Sequence, residues 1–360
     1  MTHFKGMAVD NLEVFPGFDQ VVVTFRPDAK ELDRAARVFD EQPSSGSLNG
    51  AASHVSIAPE RDHFVTARQL VGRLARLTPR RDDQIIFHSG CTPKFWMNLP
   101  RVLVRGRPVT VVVFGTELQE PTAFRGRVLD VLKKLFLPMT QVVCLSEGDA
   151  KRFTERFGRP RKLRVIPYCS AQLYQFAAQE IGPNIGPLKI QVGNNAEPVN
   201  DHVGCLERLA RIEGLDATVV LFLNYCVAPR YVQQVKAEAA KAFRVEAYDA
   251  LLALSDFDRV VASCDALLVG SHDQRALGSI YRYLLAGRPV FLPARSNIRA
   301  DLQRSGFMIY ALEDLASMSK VSLARLCRVV NERNRNQAAE MLGLSQIRAL
   351  WRELVGSGSL

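Results

Sequence analysis

A polar loop between two apolar runs carries the residues of this sequence that are best suited to hold an anion. The segment 265–290 predicts a buried strand at Ala266–Val269, a polar loop, and a helix that opens at Gly278 and Ser279. N–H groups at a helix start lie beside the positive end of the helix dipole and favour phosphate. We therefore expect the N–H groups of Gly278, Ser279 and Ile280 to bind a diphosphate. An ordinary capping role for Gly278 and Ser279 is the alternative.

The loop before that helix start carries four polar side chains in a row. His272, Asp273, Gln274 and Arg275 follow the predicted strand, and open α/β sheets bind their ligands at the carboxyl ends of the strands. We expect the first three side chains to contact sugar or phosphate, and the Arg275 guanidinium to pair with a diphosphate. The loop is therefore interpreted as the holder of the pyrophosphate and sugar of a nucleotide sugar.

A second candidate ligand-binding turn follows the apolar run 188–192. The run leads into Gly193, Asn194 and Asn195, and small polar residues in such a turn let a ligand approach the backbone closely. We predict that these three residues line the nucleotide and that Asn200 caps the helix that follows. The pattern is not G-x-G-x-x-G, which argues against an NAD enzyme.

The next apolar run in this half of the chain ends near Asn224 and Tyr225. Both residues fall at the carboxyl edge of the predicted sheet, so we expect them on the nucleotide side as well. The Tyr225 ring either stacks on a base or simply covers the end of the strand.

Two candidates for a catalytic base end apolar runs in the first half of the chain. His88 closes the run from Gln84, and Glu117 follows the run 111–116. Transfer of a sugar to a hydroxyl group needs a base near neutral pH, and a histidine or a desolvated carboxylate can serve. We predict that Glu117 and His88 face the acceptor and supply or position that base. A hydrogen-bonded structural role is the alternative for His88.

The segment Asp256-Phe257-Asp258 has the form of a metal-binding Asp-x-Asp motif, but its position argues against that role. Such a motif must directly follow a strand to hold a divalent ion against a diphosphate. Here Ser255 and Asp256 predict the cap of a helix that continues to Ser263. We therefore expect a structural role for the motif, no metal ion and no other cofactor.

Length and composition indicate a globular protein with two domains. The chain has 360 residues, of which 47% are hydrophobic, and this length exceeds what one core usually organises. The sequence has no recognisable signal peptide and no run of about 18 apolar residues. Its seven cysteines lack metal-ligand or disulfide spacing, as expected for reduced thiols. We predict a cytoplasmic protein without a membrane span.

The net charge of +10 is concentrated in one part of the chain. Between Lys94 and Arg164, fifteen Lys or Arg residues stand against six Asp or Glu residues. The segments 95–107 and 125–137 each combine an apolar face with a cationic one, as in helices that rest on an anionic membrane. For either segment, a core helix with a solvated basic back is the alternative. Nucleic acid is not the expected partner, because the Gly/aromatic patterns of single-strand binders are absent.

Apolar β-rich runs alternate with helical patterns along almost the whole chain, which is typical of parallel α/β units. The alternation lapses between Pro167 and Pro187, where Gly and Pro recur, and then restarts. The predicted architecture is the α/β fold of GT-B glycosyltransferases, with two doubly wound, Rossmann-like domains that face a central cleft. Its predicted parts are an acceptor-side domain (1–170), a linker (171–187), a nucleotide-sugar-binding domain (188–335) and a helical tail (336–360).

Dispersed residues between about 84 and 305 resemble one glycosyltransferase family. The matching residues are Phe87, His88, Pro93, Trp96, Gly115, Leu118, Glu120, Val192, Gly193, Asn194, Asn200, His202, Phe257, Asp258, Cys264, Asp265, Gln274, Gly278, Leu284, Ala286, Gly287 and Pro289. At these positions the chain is similar to the bacterial TDP-N-acetylfucosamine:lipid II N-acetylfucosaminyltransferases of enterobacterial common antigen assembly. The resemblance implies a GT-B enzyme that moves a dTDP-linked amino sugar to a polyprenyl-diphosphate-linked saccharide at the cytoplasmic face of the inner membrane.

The chain also departs from the pattern of that family. Glu117 stands where the family has Asp, Phe114 stands where it has Trp, and Arg275 stands where a less bulky loop is expected. The Gly- and His-containing first loop of the family has no clear counterpart near 26–28. These differences leave the exact sugar and acceptor open.

Three alternatives to this function remain at the level of sequence. The first is a GT-B transferase with another nucleotide-sugar donor or acceptor. The second is a nucleotide-sugar 2-epimerase, which has the same architecture but consumes its donor without an acceptor. The third is a non-catalytic protein that binds nucleic acid or a polysaccharide-assembly partner, for which binding to nucleic acid would depend strongly on salt.

Overall fold

The fold is an α/β fold with two compact units. The computed structural model describes residues 21–25, 53–57, 85–88, 109–118, 124–168, 173, 176–177, 181–182, 184, 186–224 and 228–356. The first unit comprises Met1–Ala171 together with Leu344–Leu360, and the second comprises Gln172–Gly343. The predicted limits of the domains, linker and tail stay predictions. No helix in the described ranges is long and apolar enough to cross a membrane.

The described strands of the first unit form two parallel sheets. One sheet pairs β1 (Val21–Phe25) with β2 (Ser53–Ile57). The other contains four strands in sequential order. They are β3 (Ile85–His88), β4 (Val109–Val113), β5 (Gln141–Cys144) and β6 (Lys162–Val165).

Two of the described helices pack on the four-stranded sheet of this unit. They are α1 (Phe124–Phe136) and α2 (Glu147–Phe157). The side chains of β4 and β5 are buried throughout, and the apolar ones of α2 join them in one core. A side chain caps the N-terminus of α2, because Ser146 Oγ accepts a hydrogen bond of 3.1 Å from the Asp149 N–H.

The second unit is built on one six-stranded parallel sheet in the order β12-β11-β10-β7-β8-β9. The strands are β7 (Leu188–Val192), β8 (Ala217–Phe222), β9 (Arg244–Tyr248), β10 (Ala266–Leu268), β11 (Val290–Leu292) and β12 (Tyr310–Ala311). The connecting helices are α3 (His202–Ala210), α4 (Pro229–Ala240), α5 (Leu254–Ala262), α6 (Leu277–Leu285) and α7 (Asn297–Arg304).

The strand order of this sheet reverses between β7 and β10. From β7 the chain adds β8 and β9 on one side, and it then returns to place β10, β11 and β12 on the other. This is the doubly wound order, and ligands of such sheets bind outside the carboxyl ends of the strands at the reversal. The turns after β7 and β10 are therefore the expected ligand-binding turns of this unit.

Three predicted details of the elements are wrong. Asn200 does not cap α3, because it lies inside a 3-10 helix and the Asp201 side chain caps α3 instead. Helix α5 begins at Leu254, with Ala253 rather than Ser255 or Asp256 as its N-cap.

The third detail is the helical tail predicted at 336–360, which is not one continuous helix. Its residues are divided between α9 (Glu332–Met341) and α10 (Leu344–Gly356), and α8 (Lys320–Arg328) precedes them. Helices α8 and α9 belong to the second unit and α10 belongs to the first.

Candidate functional site

The turn after β7 is organised around the peptide groups of Gly193. Its N–H donates to the Leu268 carbonyl of β10 at 2.8 Å, and its carbonyl accepts from Gln191 Nε2 at 2.8 Å. The Tyr283 hydroxyl donates to Gln191 Oε1 at 3.0 Å, and both of these side chains are buried. Because both sides of Gly193 are bonded to buried groups, the backbone at the strand reversal is held in one orientation.

His202, the first residue of α3, packs against Gly193. Gly193 has a φ of +69°, and a Cβ atom at this position would overlap the His202 imidazole. His202 Nδ1 lies 3.0 Å from the Tyr231 hydroxyl, and burial lowers the pKa of His202 to about 4. The imidazole is therefore neutral near pH 7 and forms a fixed wall behind the turn.

The turns after β7 and β10 are joined to each other. The Gly270 N–H donates to the Asn200 carbonyl at 2.9 Å, and a Cβ atom on Gly270 would lie 2.6 Å from Asp201 Cβ. The Arg275 guanidinium forms an ion pair with the Glu197 carboxylate. The predicted nucleotide turn and the predicted diphosphate loop thus meet, and the charge of Arg275 is compensated by a carboxylate of the chain itself.

The start of α6 differs from the prediction by one residue. The helix begins at Leu277 after Ala276, which has a left-handed conformation with φ 59° and ψ 16°. The Ile280 N–H donates to the Ala276 carbonyl at 2.8 Å, so the prediction that it binds a diphosphate is wrong. The three N–H groups before it have no acceptor within the helix, because they lie in its first turn. They belong to Leu277, Gly278 and Ser279.

Hydrogen bonds from backbone groups of the loop before α6 fix the position of this loop. The His272 carbonyl accepts from the Asn297 N–H at 3.0 Å, and the Asp273 N–H donates to Ser271 Oγ at 3.3 Å. The His272 side chain is exposed, that of Asp273 is half-buried and that of Gln274 is buried. The three predicted contact residues thus present side chains at three different depths.

The asparagines of the site differ in what they bind. Asn195 Oδ1 accepts from the Glu197 N–H at 3.1 Å and from Asn200 Nδ2 at 2.6 Å, so this side chain shapes the turn. Asn194 Oδ1 is buried and has no hydrogen-bond partner in the described part of the protein. It is an acceptor with capacity left for a ligand, because buried polar groups are normally hydrogen-bonded.

Asn224 joins the same edge of the sheet. Its carbonyl accepts from the Ala196 N–H at 3.0 Å, and its Nδ2 donates to the Ala250 carbonyl at 3.3 Å. The residue therefore links the turn after β8 to the turn after β7. Tyr225 lies outside the described residues.

His88 and Glu117 belong to the first unit. His88 is the last residue of β3 and is in register with Val112 of β4, while Glu117 lies in a 3-10 helix directly after β4. The two backbones therefore occupy the same carboxyl edge of the four-stranded sheet. The positions of the two side chains lie outside the described part of the structure, and the catalytic role stays a prediction.

The two carboxylates of the Asp-x-Asp segment have structural partners. Asp258 Oδ1 accepts from Arg282 Nε at 2.7 Å, and both side chains are only 5% exposed. Asp256 pairs with Arg259 at 3.0 Å on the surface of α5. No cluster of three His, Cys, Asp or Glu side chains suited to a metal ion occurs among the described residues.

Three residues of the site had not been predicted from the sequence. Gln191 carried a usable signal, because it is a polar residue inside the apolar run of β7. Its partner Tyr283 lies 92 residues away, and Glu197 is 78 residues from Arg275. No local pattern connects residues at such separations.

Two α/β units with parallel sheets, one of them doubly wound, are consistent with the GT-B fold of glycosyltransferases. A glycosyltransferase from Rickettsia africae ESF-5 is similar at a TM-score of 0.71 and 13% identity, covering 99% of this chain and 94% of that one. Anabaena HepE in complex with UDP and glucose is similar at a TM-score of 0.67 and 13% identity, covering 98% of this chain and 96% of that one. Sucrose-phosphate synthase from Thermosynechococcus elongatus is similar at a TM-score of 0.62 and 12% identity, covering 99% of this chain and 93% of that one.

The family within this class follows from the sequence. Residues 16–341 match the model of the 4-alpha-L-fucosyltransferases, glycosyl transferase group 56. The chain belongs to this family and is a glycosyltransferase. The resemblance and the GT-B fold predicted from the sequence are both confirmed, whereas the solved structures, at 12–14% identity, bear on the fold alone.

Proposed function

We propose that this glycosyltransferase transfers a deoxy-amino sugar such as N-acetylfucosamine from a dTDP-linked donor to a polyprenyl-diphosphate-linked saccharide in bacterial surface polysaccharide synthesis. The part of this proposal that concerns the donor rests on the strand reversal in the second unit. There the first-turn N–H groups of α6 and Asn194 Oδ1, which has no partner among the described residues, occupy turns that hydrogen bonds tie together.

The donor is assigned to these turns by the chemistry of its parts. A diphosphate suits the N–H groups of Leu277, Gly278 and Ser279, because a helix start favours anions. Asn194 Oδ1 accepts a hydrogen bond from a hydroxyl or N–H group of the nucleoside or sugar. Asn224, Tyr225 and the segment 272–274 complete the proposed donor contacts.

No metal ion is needed for the departure of the diphosphate in this proposal. Transfer breaks the bond between the anomeric carbon and the diphosphate oxygen, and it forms a bond from that carbon to the acceptor oxygen. Negative charge therefore builds up on the leaving dTDP. Preorganised N–H donors stabilise such charge strongly in a site that excludes water. Arg275 takes part only if the ligand competes with Glu197 for its guanidinium.

The acceptor base is assigned to Glu117 or His88 of the first unit. The base removes the proton of the acceptor hydroxyl while its oxygen bonds to the anomeric carbon. Support for this assignment is that both residues lie at the carboxyl ends of neighbouring parallel strands. A lipid-linked acceptor also accounts for the surplus of basic residues between Lys94 and Arg164, and it would bring the enzyme to the cytoplasmic face of the inner membrane.

Nucleotide binding tests the donor first. We expect dTDP to raise the melting temperature of the protein more than UDP, GDP, ADP or NAD do, without magnesium and equally with it. A ligand at a hundred times its Kd stabilises the folded state by about 2.7 kcal/mol. Selective stabilisation by UDP or GDP would refute the dTDP assignment. Absence of any nucleotide effect would refute the donor site as a whole.

Variants of Gly278 then test the helix start. Gly278→Pro removes one first-turn N–H, where the helix itself does not use it, so we expect loss of dTDP stabilisation and of transfer. Gly278→Ala keeps the N–H and is the matched control. Equal dTDP binding by both variants, each folded by circular dichroism, would contradict the assignment. Donor consumption without any acceptor would instead indicate an epimerase.

A further inference from the structure

Helix α1 of the first unit has two different apolar faces. On the inner face, Leu129, Leu132 and Phe136 pack against the core of the four-stranded sheet. The outer face has four exposed apolar side chains, which we call the α1 stripe. They are Phe124 (79% exposed), Val128 (40%), Val131 (65%) and Leu135 (60%).

The α1 stripe is continuous along the helix. Its members are four, three and four residues apart, a spacing that brings them onto one side over three turns. Met139, 49% exposed, follows in the 3-10 helix after α1. Single exposed apolar residues are normal on a protein surface, but a contiguous row of large ones indicates an interaction site.

The charges next to the α1 stripe have one sign. Arg127 and Lys134 are exposed and lie seven residues apart, so they flank the stripe on the same side. Asp130 is the only acidic residue of α1, and Arg156 of α2 pairs with it. Lys133 is buried, with its Nζ 5.4 Å from the centre of the Phe157 ring. The exposed charged side chains that the structure describes on α1 are therefore cationic.

An apolar row with a cationic border fits one partner best. We propose that the α1 stripe is the surface through which this protein rests on an anionic lipid bilayer. The helix lies parallel to the bilayer, the stripe enters the boundary between headgroups and acyl chains, and Arg127 and Lys134 contact lipid phosphates. A second copy of the chain fits less well, because two like-charged borders would face each other.

The inference rests on the proposed function only for the reason why this protein would bind a membrane, since an enzyme that uses a polyprenyl-linked acceptor must work at a membrane surface. The binding itself needs neither donor nor acceptor. It can therefore be measured on the whole 360-residue chain without any substrate.

The test is flotation of the protein with lipid vesicles. We expect the wild type to float with vesicles of 30% phosphatidylglycerol in phosphatidylethanolamine and not with pure phosphatidylcholine vesicles. Val131→Glu with Leu135→Glu should weaken the binding by about tenfold or more, because two carboxylates then face anionic lipid. Val321→Glu with Val329→Glu, at positions 69% and 60% exposed in the second unit, is the matched control and should bind like the wild type.

Three results would overturn the inference. One is wild-type protein that stays unbound on anionic vesicles. Another is a Val131→Glu/Leu135→Glu variant that binds as strongly as the control, and the third is a wild-type dimer that this variant dissociates without a change in lipid binding. Stabilisation of the same variants by dTDP separates the two proposals. Vesicle binding with no nucleotide effect would refute the proposed function and leave the α1 stripe intact.

Discussion

The imidazole of His202 occupies the space that a Cβ atom on Gly193 would need. Gly193 is thus required for two reasons, since its φ of +69° also disfavours any residue with a side chain. The Gly193 N–H donates to the Leu268 carbonyl and the Gly193 carbonyl accepts from Gln191 Nε2, so its backbone is bonded on both sides beside the neutral ring of His202. The turn at the strand reversal is consequently rigid before any ligand arrives.

Substitution of Gly193 should harm both stability and nucleotide binding. We expect Gly193→Ala to lower the free energy of unfolding by about 2–4 kcal/mol, from left-handed strain and overlap with the imidazole. Urea unfolding measures it. Gly214→Ala is the matched control, because Gly214 has a φ of +63° but its nearest neighbour, Lys320 Nζ, would lie 3.4 Å from the new Cβ. Equal losses in both variants would show that the His202 contact is unimportant.

The hydrogen-bond chain from Tyr283 through Gln191 should control the orientation of the Gly193 carbonyl. Gln191→Leu leaves two buried groups without this partner, so we expect a loss of about 2–5 kcal/mol in unfolding free energy and weaker dTDP binding. Tyr283→Phe keeps the bond to Gly193 and should weaken stability by about 1–2 kcal/mol with little change in dTDP affinity. Calorimetric titration with dTDP measures the affinity of each of the two variants. Parallel losses of affinity would argue against an orienting role of Gln191.

Protonation of His202 should destabilise the second unit in mild acid. Its pKa in the folded protein is lowered to about 4 from 6.5 by burial, so the unfolded chain binds the proton first as pH falls. Between these two values, the free energy of unfolding should fall by roughly 1.4 kcal/mol per pH unit from this group alone. Urea unfolding at pH 7.5 and pH 5 measures the slope.

A pair of histidine variants isolates that contribution from the carboxylates, which also titrate in acid. His202→Gln should show a shallower pH dependence than the wild type, whereas His272→Gln, at an exposed position, should retain the wild-type slope. An unchanged slope in His202→Gln would mean that the buried imidazole is not the group responsible.

The Asp-x-Asp segment should matter for stability and not for catalysis by metal. Asp258→Ala leaves the buried Arg282 guanidinium without its carboxylate partner, so we expect a loss of about 3–5 kcal/mol in unfolding free energy. Asp256→Ala removes only a surface pair and should cost less than about 0.5 kcal/mol. Turnover by Asp256→Ala should equal that of the wild type with and without EDTA. Loss of activity in this variant would restore the metal hypothesis.

Much of the described fold was predictable because its signals are local. The limits of β7 agree to the residue with the predicted apolar run 188–192. Strand β7 ends where Gly193 permits a left-handed turn, and α2 begins where the Ser146 side chain can cap it. Hydrophobic runs and capping residues act within a few positions of the chain, so a sequence reveals them.

The site was less predictable because its decisive contacts are distant in sequence. Arg275 has the composition of a phosphate ligand, yet the fold brings it to Glu197. The Ile280 N–H changes from a ligand donor to a helix donor because α6 starts one residue earlier than predicted. Such differences depend on which loops the strand reversal brings together. The spacing of residues within one loop does not predict those contacts.

The division of the last helices between the two units bears on how the protein is made. Helix α10 belongs to the unit that begins the chain, and its Trp351 and Leu354 are buried. During translation, α10 leaves the ribosome only after the whole of the second unit, 172–343, has been synthesised. The unit that is synthesised first is therefore completed last, against the usual order in which domains fold as they leave the ribosome.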